Sequence, residues 1–375
     1  MRRLSITPRV DWLEQLRALG MDLEVNPTSP YWREDAAYSF SEDEVEQLHA
    51  AASELVDLIE AATAHVVERG RFSDLGIPPP LAELAAQSWR AREPSIYGRF
   101  DLRFDGAGQP KLFEYNADTP TALFEASVVQ WHWLEQCFPG ADQYNSIHEG
   151  LIEAWDGWRR AGRFSRVHFA CMPEDDDDLL TTAYLQDTAA QAGLDGQMIQ
   201  IPDIGWDGKR FVDLAEARID ALFKLYPWDW LADADFFAHL GPSGLKVIEP
   251  AWRIIPASKG ILPILWELFP GHPNLLPASF DARRIDGPVI LKPLHGREGA
   301  NMIVERDGHR TATDGPYEEM PTVAQAFLPL PDHDGWRPVV GLWTVAGEPR
   351  GMGLREERSV ITGRGARFVP HLMSG

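Results

Sequence analysis

A mixed α+β fold is what this chain of 375 residues predicts, and three observations carry the prediction. Residues 42–69 place apolar side chains at helical spacing, at Val45, Leu48, Leu55, Leu58 and Ile59. Residues 167–226 run strand, acidic turn, helix, strand, strand, the order of a βαβ unit with a parallel sheet. From Pro288 onward, short strands punctuated by Gly and Pro take over. The length suits two or three lobes rather than one small domain.

The chain opens with an extended arm over residues 1–30 that includes a short helix near 12–19. An aromatic patch follows, Tyr31-Trp32 and Tyr38-Ser39-Phe40. Ser41 with Glu44 three residues on is a capping-box start for the helix 42–69. Pro78-Pro79-Pro80 breaks the chain before a second helix, 81–91. Arg99-Phe100-Asp101-Leu102-Arg103-Phe104 alternates polar and apolar, as a strand with one wet face does. Asp105-Gly106-Ala107-Gly108 turns, and Lys111-Leu112-Phe113-Glu114-Tyr115-Asn116 alternates again, so the pair predicts a β-hairpin. Helices are expected over 120–135 and 146–160. Strand 167–172, the acidic run 174–178, a helix over 179–192 and strands 197–201, 221–226 and 246–250 make the middle lobe. A short helix, 260–269, precedes strands 289–293, 301–305, 322–327, 338–345 and 351–355.

Composition removes several function classes. The chain holds 35 Lys and Arg against 57 Asp and Glu, a net charge of −22. Such a chain repels nucleic acid and anionic membrane. Cys137 and Cys171 are far apart and lie in no CxxC, which fits a reducing, cytoplasmic setting. Met1-Arg2-Arg3 is followed by no apolar signal-type stretch, and no apolar run reaches membrane-span length. The 11 histidines show no zinc spacing, and His148, His168 and His295 read as packing or surface residues.

Chemistry concentrates in three stretches. On the hairpin, Glu114 and Asn116 are two apart and share a face, and Asp101 lies on the facing strand. With about 3.3 Å of rise per residue, the three oxygens can converge on one hard cation, and Mg²⁺ takes such a sparse set. The second stretch is Ser258-Lys259-Gly260. The third is Val289-Ile290-Leu291-Lys292, then a turn with Gly296 and Gly299. A strand-end Lys beside a glycine loop can hold phosphate, although the order is not that of a Walker A loop. Together these are the parts of a Mg-nucleotide site.

RFDLRFD…KLFEYNADTPT, ASKGILPILWELFPGHPNLLPA, ILKPLHGREGAN and GLREERSVITGRGARFVPH resemble the synthetase domain of the glutathionylspermidine synthase family. The likeness covers nearly the whole chain and is nearest to the stand-alone, acid–amine ligase type. It implies an ATP-grasp fold of permuted topology, with the metal hairpin ahead of the ATP lysines, plus a pre-ATP-grasp-like α/β lobe. Approximate lobes are then 1–150 (helical arm and metal hairpin), 151–250 (α/β) and 251–375 (nucleotide-binding).

The resemblance implies ATP-dependent joining of a small-molecule or peptide carboxylate to an amine through an acyl phosphate. It places Asp101, Glu114 and Asn116 on Mg²⁺, and Lys259, Lys292, Gly296 and Gln325 on ATP. Arg99 and Arg355 face the reacting carboxylate and phosphoryl group, and Thr119 and Thr121 line the acid. Glu174 and Asp175 fall where the bifunctional members hold a polyamine, and Asp229 is a second acidic candidate for the amine. Those members also carry an amidase domain; neither Cys137 nor Cys171 supplies its nucleophile, so no amidase is expected. A catalytically inert, nucleotide-binding relative is the alternative. A competent residue at every metal and phosphate position favours the enzyme.

Overall fold

The two alternating runs form a hairpin, Tyr97–Arg103 with Lys111–Asn116, and it is the edge of a larger antiparallel sheet. Its neighbour comes from far along the chain. Arg337–Val345 pairs with Tyr97–Arg103, then Glu348–Glu357 and Arg367–Val369 follow outward. The central sheet therefore joins strands from the first and last of the expected lobes. The computed structural model describes residues 1–21, 31–174 and 176–374. Residues 22–30 of the expected arm lie outside the described residues; its helix is Trp12–Ala18.

The polar face of the first hairpin strand is not wet. Arg99 is 6% and Asp101 3% exposed, because that face closes a cleft rather than meeting bulk water. Polar alternation carries the same period in both cases, and sequence alone does not separate them.

Helix Glu42–Arg69 packs on the other side of this sheet. Ser41 accepts from the Glu44 amide, and Glu44 accepts in return from the Ser41 amide, so the capping box closes as expected. Gly70, at φ 66°, ends the helix in the left-handed conformation glycine adopts without strain. Its apolar stripe shares one core with Phe100, Leu102, Leu342 and Leu354. A second core, with Trp133, Trp155, Phe169, Phe223 and Trp343, lies under the α/β lobe.

That lobe is a parallel sheet in the order Lys246–Ile248, Ala221–Leu225, Arg166–Cys171, Asp195–Gln200, crossed by helix Asp176–Gln191. A third sheet, antiparallel, runs Ala278–Ser279, Thr322–Ala326, Val289–Pro293, Ile303–Arg306, His309–Ala312.

Two expectations change. The helix expected from residue 120 begins only after Ala122, which sits at φ 67°. Arg99 donates to the Thr121 carbonyl at 2.7 Å and holds that stretch out of the helix. The helix then passes through a π-helical turn, Glu125–Val129, before Gln130–Cys137. The aromatic patch around Tyr38 is a strand, Ala36–Phe40, between Arg2–Ser5 and His371–Met373. Among the described residues, no helix is long and apolar enough to cross a membrane.

Candidate active site

One cleft of about 530 Å³ lies where the three larger sheets approach one another. Every described residue singled out from sequence as metal, phosphate or acid-binding lines it. Asp101, Glu114 and Asn116 come from the hairpin, and Thr119 and Thr121 from the loop after it. Lys259 comes from the turn before helix Ile261–Leu268, and Lys292, Gly296 and Gln325 from the third sheet and its glycine loop. Arg99 and Arg355 complete the floor.

The hairpin register sets the floor. Asp101 stands opposite Glu114, and Arg99 opposite Asn116, so all four side chains share a face. Asp101 is held by three side chains, Arg99 reaching it through two nitrogens. Arg99 Nε reaches its Oδ1 at 2.6 Å, and Arg355 Nη2 and Asn116 Nδ2 reach its Oδ2 at 2.8 and 3.2 Å. Because Asn116 donates through nitrogen, its carboxamide oxygen stays available as an acceptor.

Glu114 pairs with Lys259 at 3.0 Å, and Lys259 also donates to the Gly296 carbonyl at 2.7 Å. Burial by itself would raise the Glu114 pKa. The cations Lys259, Lys292 and Arg99 outweigh it and bring the carboxyl down to about 2. Glu114 is thus an anion at any physiological pH.

Lys292 donates to the Phe113 carbonyl and to Gln325 Oε1, both at 2.8 Å. Gln325 is 1% exposed, and its amide donates to the Leu112 carbonyl at 2.9 Å. Its side chain therefore ties the third sheet to the hairpin and aims Lys292 at the floor. Burial lowers the Lys292 pKa to about 8; Glu114 pulls it up and Lys259 pushes it down.

A pH dependence follows, with a definite sign. Lys292 carries its charge below about pH 8 and loses it above. Phosphate affinity should fall between pH 7 and 9, measured by calorimetry with ATP. Lys292→Arg, whose charge persists, should flatten that fall. Equal slopes in the two proteins would exclude Lys292 as the titrating group.

Arg355 is half-buried, and desolvation with repulsion from Arg99 lowers its pKa; it remains a cation all the same. Two guanidinium groups thus converge on Asp101, with the Glu114 carboxylate beside it on the same face.

The acidic run divides. Glu174 is exposed and does not line the cleft, and Asp175 lies outside the described residues. Asp177 and Asp178, in the first turn of helix Asp176–Gln191, do line it. The helix begins three residues earlier than its apolar pattern suggested, and this changes which acids point inward. Asp229 lines the cleft but is paired with Arg297 of the glycine loop, with one contact at 3.2 Å.

Three residues went unnoticed in the sequence. Asp118 accepts from Lys224 at 2.8 Å and from the Trp228 amide at 2.7 Å, pinning the threonine loop to the α/β lobe. Lys224 is 1% exposed, inside a strand that reads as plainly apolar. Glu125 is 4% exposed; burial, with Asp177 adding to it, raises its pKa to about 7. Asp118 sits inside the NADTPT motif, which was a usable signal; the other two had none.

Set beside known proteins, residues 3–374 match the model of the family described as glutathionylspermidine synthase preATP-grasp. A protein of Haemophilus influenzae named "Putative acid--amine ligase" is 37% identical over 390 residues, covering 99% of each chain. Trypanothione synthetase of Crithidia fasciculata is 29% identical over 359 residues, 85% of this chain and 54% of that one. The bifunctional glutathionylspermidine synthetase/amidase of Escherichia coli is 28% identical over 365 residues, 89% of this chain and 58% of that one. The chain spans nearly all of the first relative and little more than half of the other two. In fold it is similar to a glutathione synthetase-like effector of Globodera pallida, with TM-score 0.56, 10% identity, and 96% and 97% of the two chains covered.

Proposed function

The chain belongs to the glutathionylspermidine synthase family, and from that premise we propose that it is an ATP-dependent carboxylate–amine ligase of permuted ATP-grasp topology. The observation that carries this reading is the convergence, in one cleft, of two carboxylates, a carboxamide, two lysines and two arginines.

The residues fit Mg²⁺. Asp101 and Glu114 are anionic oxygen donors facing each other across the ladder, with the free amide oxygen of Asn116 beside them. No grouping of three or more His, Cys, Asp or Glu could hold a metal among the described residues. A sparse oxygen set is what Mg²⁺ takes, since it keeps water and phosphate oxygens in its shell. When bound there, the ion would neutralise phosphate charge.

The chain's own residues account for the rest. Lys259 and Lys292 hold the nucleotide phosphates, and the glycine loop at Gly296 covers them. Gln325 positions Lys292. The acid lies against Thr119 and Thr121, whose hydroxyls donate to its oxygens. One carboxylate oxygen attacks the γ-phosphorus as the bond to the departing ADP oxygen breaks, giving an acyl phosphate. Arg99 and Arg355 answer the charge that builds on the transferring oxygens. The amine nitrogen then attacks the acyl carbon, the carbon–oxygen bond to phosphate breaks, and the nitrogen gives up a proton. The acidic rim of Asp177, Asp178 and Asp229 favours a positively charged amine, and the family resemblance adds Glu174 and Asp175 as further candidates for it.

The test is a screen for ADP release over panels of acids and amines, with mass analysis of products. ADP release that needs both partners, with an amide product, supports the reading. ADP release that needs one acceptor alone, with a stable phosphorylated product, would replace it by a phosphotransferase.

A further inference from the structure

Thr119 and Thr121 stand on a stretch, residues 117–122, that belongs to no helix or strand. Its shape therefore depends on what grips it. Ala117, Asp118, Pro120 and Ala122 are buried, and the two threonines between them are half-buried and line the cleft. Three of its carbonyls are taken by side chains. Arg253 Nε donates to the Ala117 oxygen at 2.6 Å, the Tyr97 hydroxyl to that of Pro120 at 3.2 Å, and Arg99 Nη1 to that of Thr121 at 2.7 Å. The remaining hold is the Asp118 carboxylate, taken by Lys224 and by the Trp228 amide.

Lys224 is an ammonium in the middle of the parallel sheet, on strand Ala221–Leu225. Besides Asp118 it donates to the Tyr226 carbonyl at 2.8 Å, and its nitrogen lies 4.6 Å from the centroid of the Trp228 ring. Burial lowers its pKa, and Asp118 pulls it back up. A charge so placed costs desolvation, and an apolar pair of like volume would serve stability as well. What the charged pair supplies is direction, since it fixes one conformation of an irregular loop. The same short segment reaches the other rim of the cleft. Trp228, whose amide holds Asp118, is followed by Asp229, which lines the cleft and pairs with Arg297.

We infer that Lys224 is a positioning residue for both co-substrates. Through Asp118 it sets the threonine loop, and through the segment 224–229 it keeps that loop in place relative to Asp229. This role rests on the proposed ligase reading, in which the threonines face the acid and Asp229 the amine. Lys259 and Lys292, assigned there to ATP, stand on other elements, so loss of Lys224 should spare the nucleotide.

The test uses the full chain carrying Lys224→Met together with Asp118→Asn. Lys224→Met alone would leave Asp118 as a buried, unpaired carboxylate and endanger folding. The paired change removes both charges and keeps an oxygen for the Trp228 amide. Leu48→Ala, a core truncation in helix Glu42–Arg69, shows what destabilisation alone does. Hydrogen exchange, read by mass spectrometry on peptides spanning residues 117–122, needs no substrate. It should quicken about tenfold or more in the paired variant and stay near the unaltered rate in Leu48→Ala. ADP release over the panels of carboxylates and amines then gives the Michaelis constants. Those of acid and amine should each rise about tenfold or more in the paired variant, with ATP affinity by calorimetry changed by less than about twofold. Exchange at 117–122 that is unchanged in the paired variant, or equally quickened by Leu48→Ala, overturns the role of Lys224. An acid constant that rises no more than that of ATP overturns it as well. If no acid of the panel supports ADP release, the ligase reading fails, and the exchange rates still decide whether Lys224 holds the loop.

Discussion

Glu114→Gln is expected to cut turnover by a factor on the order of 10²–10³ while the chain still folds. The substitution keeps the shape and removes the charge. Two losses follow from the geometry. In the proposed metal site the donor set would drop from two anions to one, since Asn116 would contribute only an amide oxygen. Lys292 also loses the carboxylate that holds its pKa up, so a smaller fraction of it is charged near neutrality. Lys259 keeps an acceptor in the Gly296 carbonyl, which limits the structural damage. Far-UV circular dichroism and a denaturant midpoint close to those of the unaltered protein would establish folding. Steady-state ADP release then gives the catalytic effect, and raising Mg²⁺ should recover part of it. Activity within a few-fold of the unaltered protein would remove Glu114 from the metal site.

Arg355→Lys is expected to lower kcat by about the same order, on the order of 10²-fold, with ATP affinity nearly unchanged. Arg355 spends one nitrogen on Asp101, Nη2 to Oδ2 at 2.8 Å, and the rest of its fork is free to face the cleft. A lysine ammonium can satisfy Asp101 or a phosphoryl oxygen from that position. It does not present a planar pair of donors to both. In the proposed reaction the charge Arg355 would answer grows during transfer, so the loss is expected in the chemical step. Rapid-quench measurement of acyl-phosphate formation in a single turnover isolates that step. Formation at the unaltered rate in Arg355→Lys would exclude this arginine from the transfer.

The hairpin was legible in the sequence because everything that defines it is local. Two alternating runs and an Asp-Gly turn mark the strands, and a register shift at Phe113, between the pairs Leu102–Leu112 and Asp101–Glu114, puts Asp101 opposite Glu114. The long helix was legible for the same reason, with Ser41 and Glu44 marking its start. The family motifs then brought Lys259, Lys292 and Arg355 into one list. They could not say what joins what. That Arg337–Val345 is the hairpin's neighbour depends on a pairing between distant segments, and many apolar strands in the chain could have competed for it. The same limit hid Asp118–Lys224 and Asp229–Arg297, where each partner looks like an ordinary surface charge until the lobes meet. The acidic run was less legible for a different reason. A helix boundary displaced by three residues rotates each acid to a new direction, and boundaries are where apolar periodicity says least.

The strand pairing of the central sheet has a consequence for how the chain is made. Asp101 meets Arg355 across 254 residues of sequence. During synthesis the hairpin leaves the ribosome long before the strands that flank it exist. For that interval Tyr97–Arg103 has one unpaired edge and apolar side chains such as Phe100 and Leu102 with no partner strand behind them. Closing so long a loop is slow, and an open edge is a template for the wrong neighbour. The nascent chain is therefore a natural client for chaperones that shield strand edges. A ribosome stalled before residue 337 would carry a product that cannot complete its own sheet and is prone to aggregate.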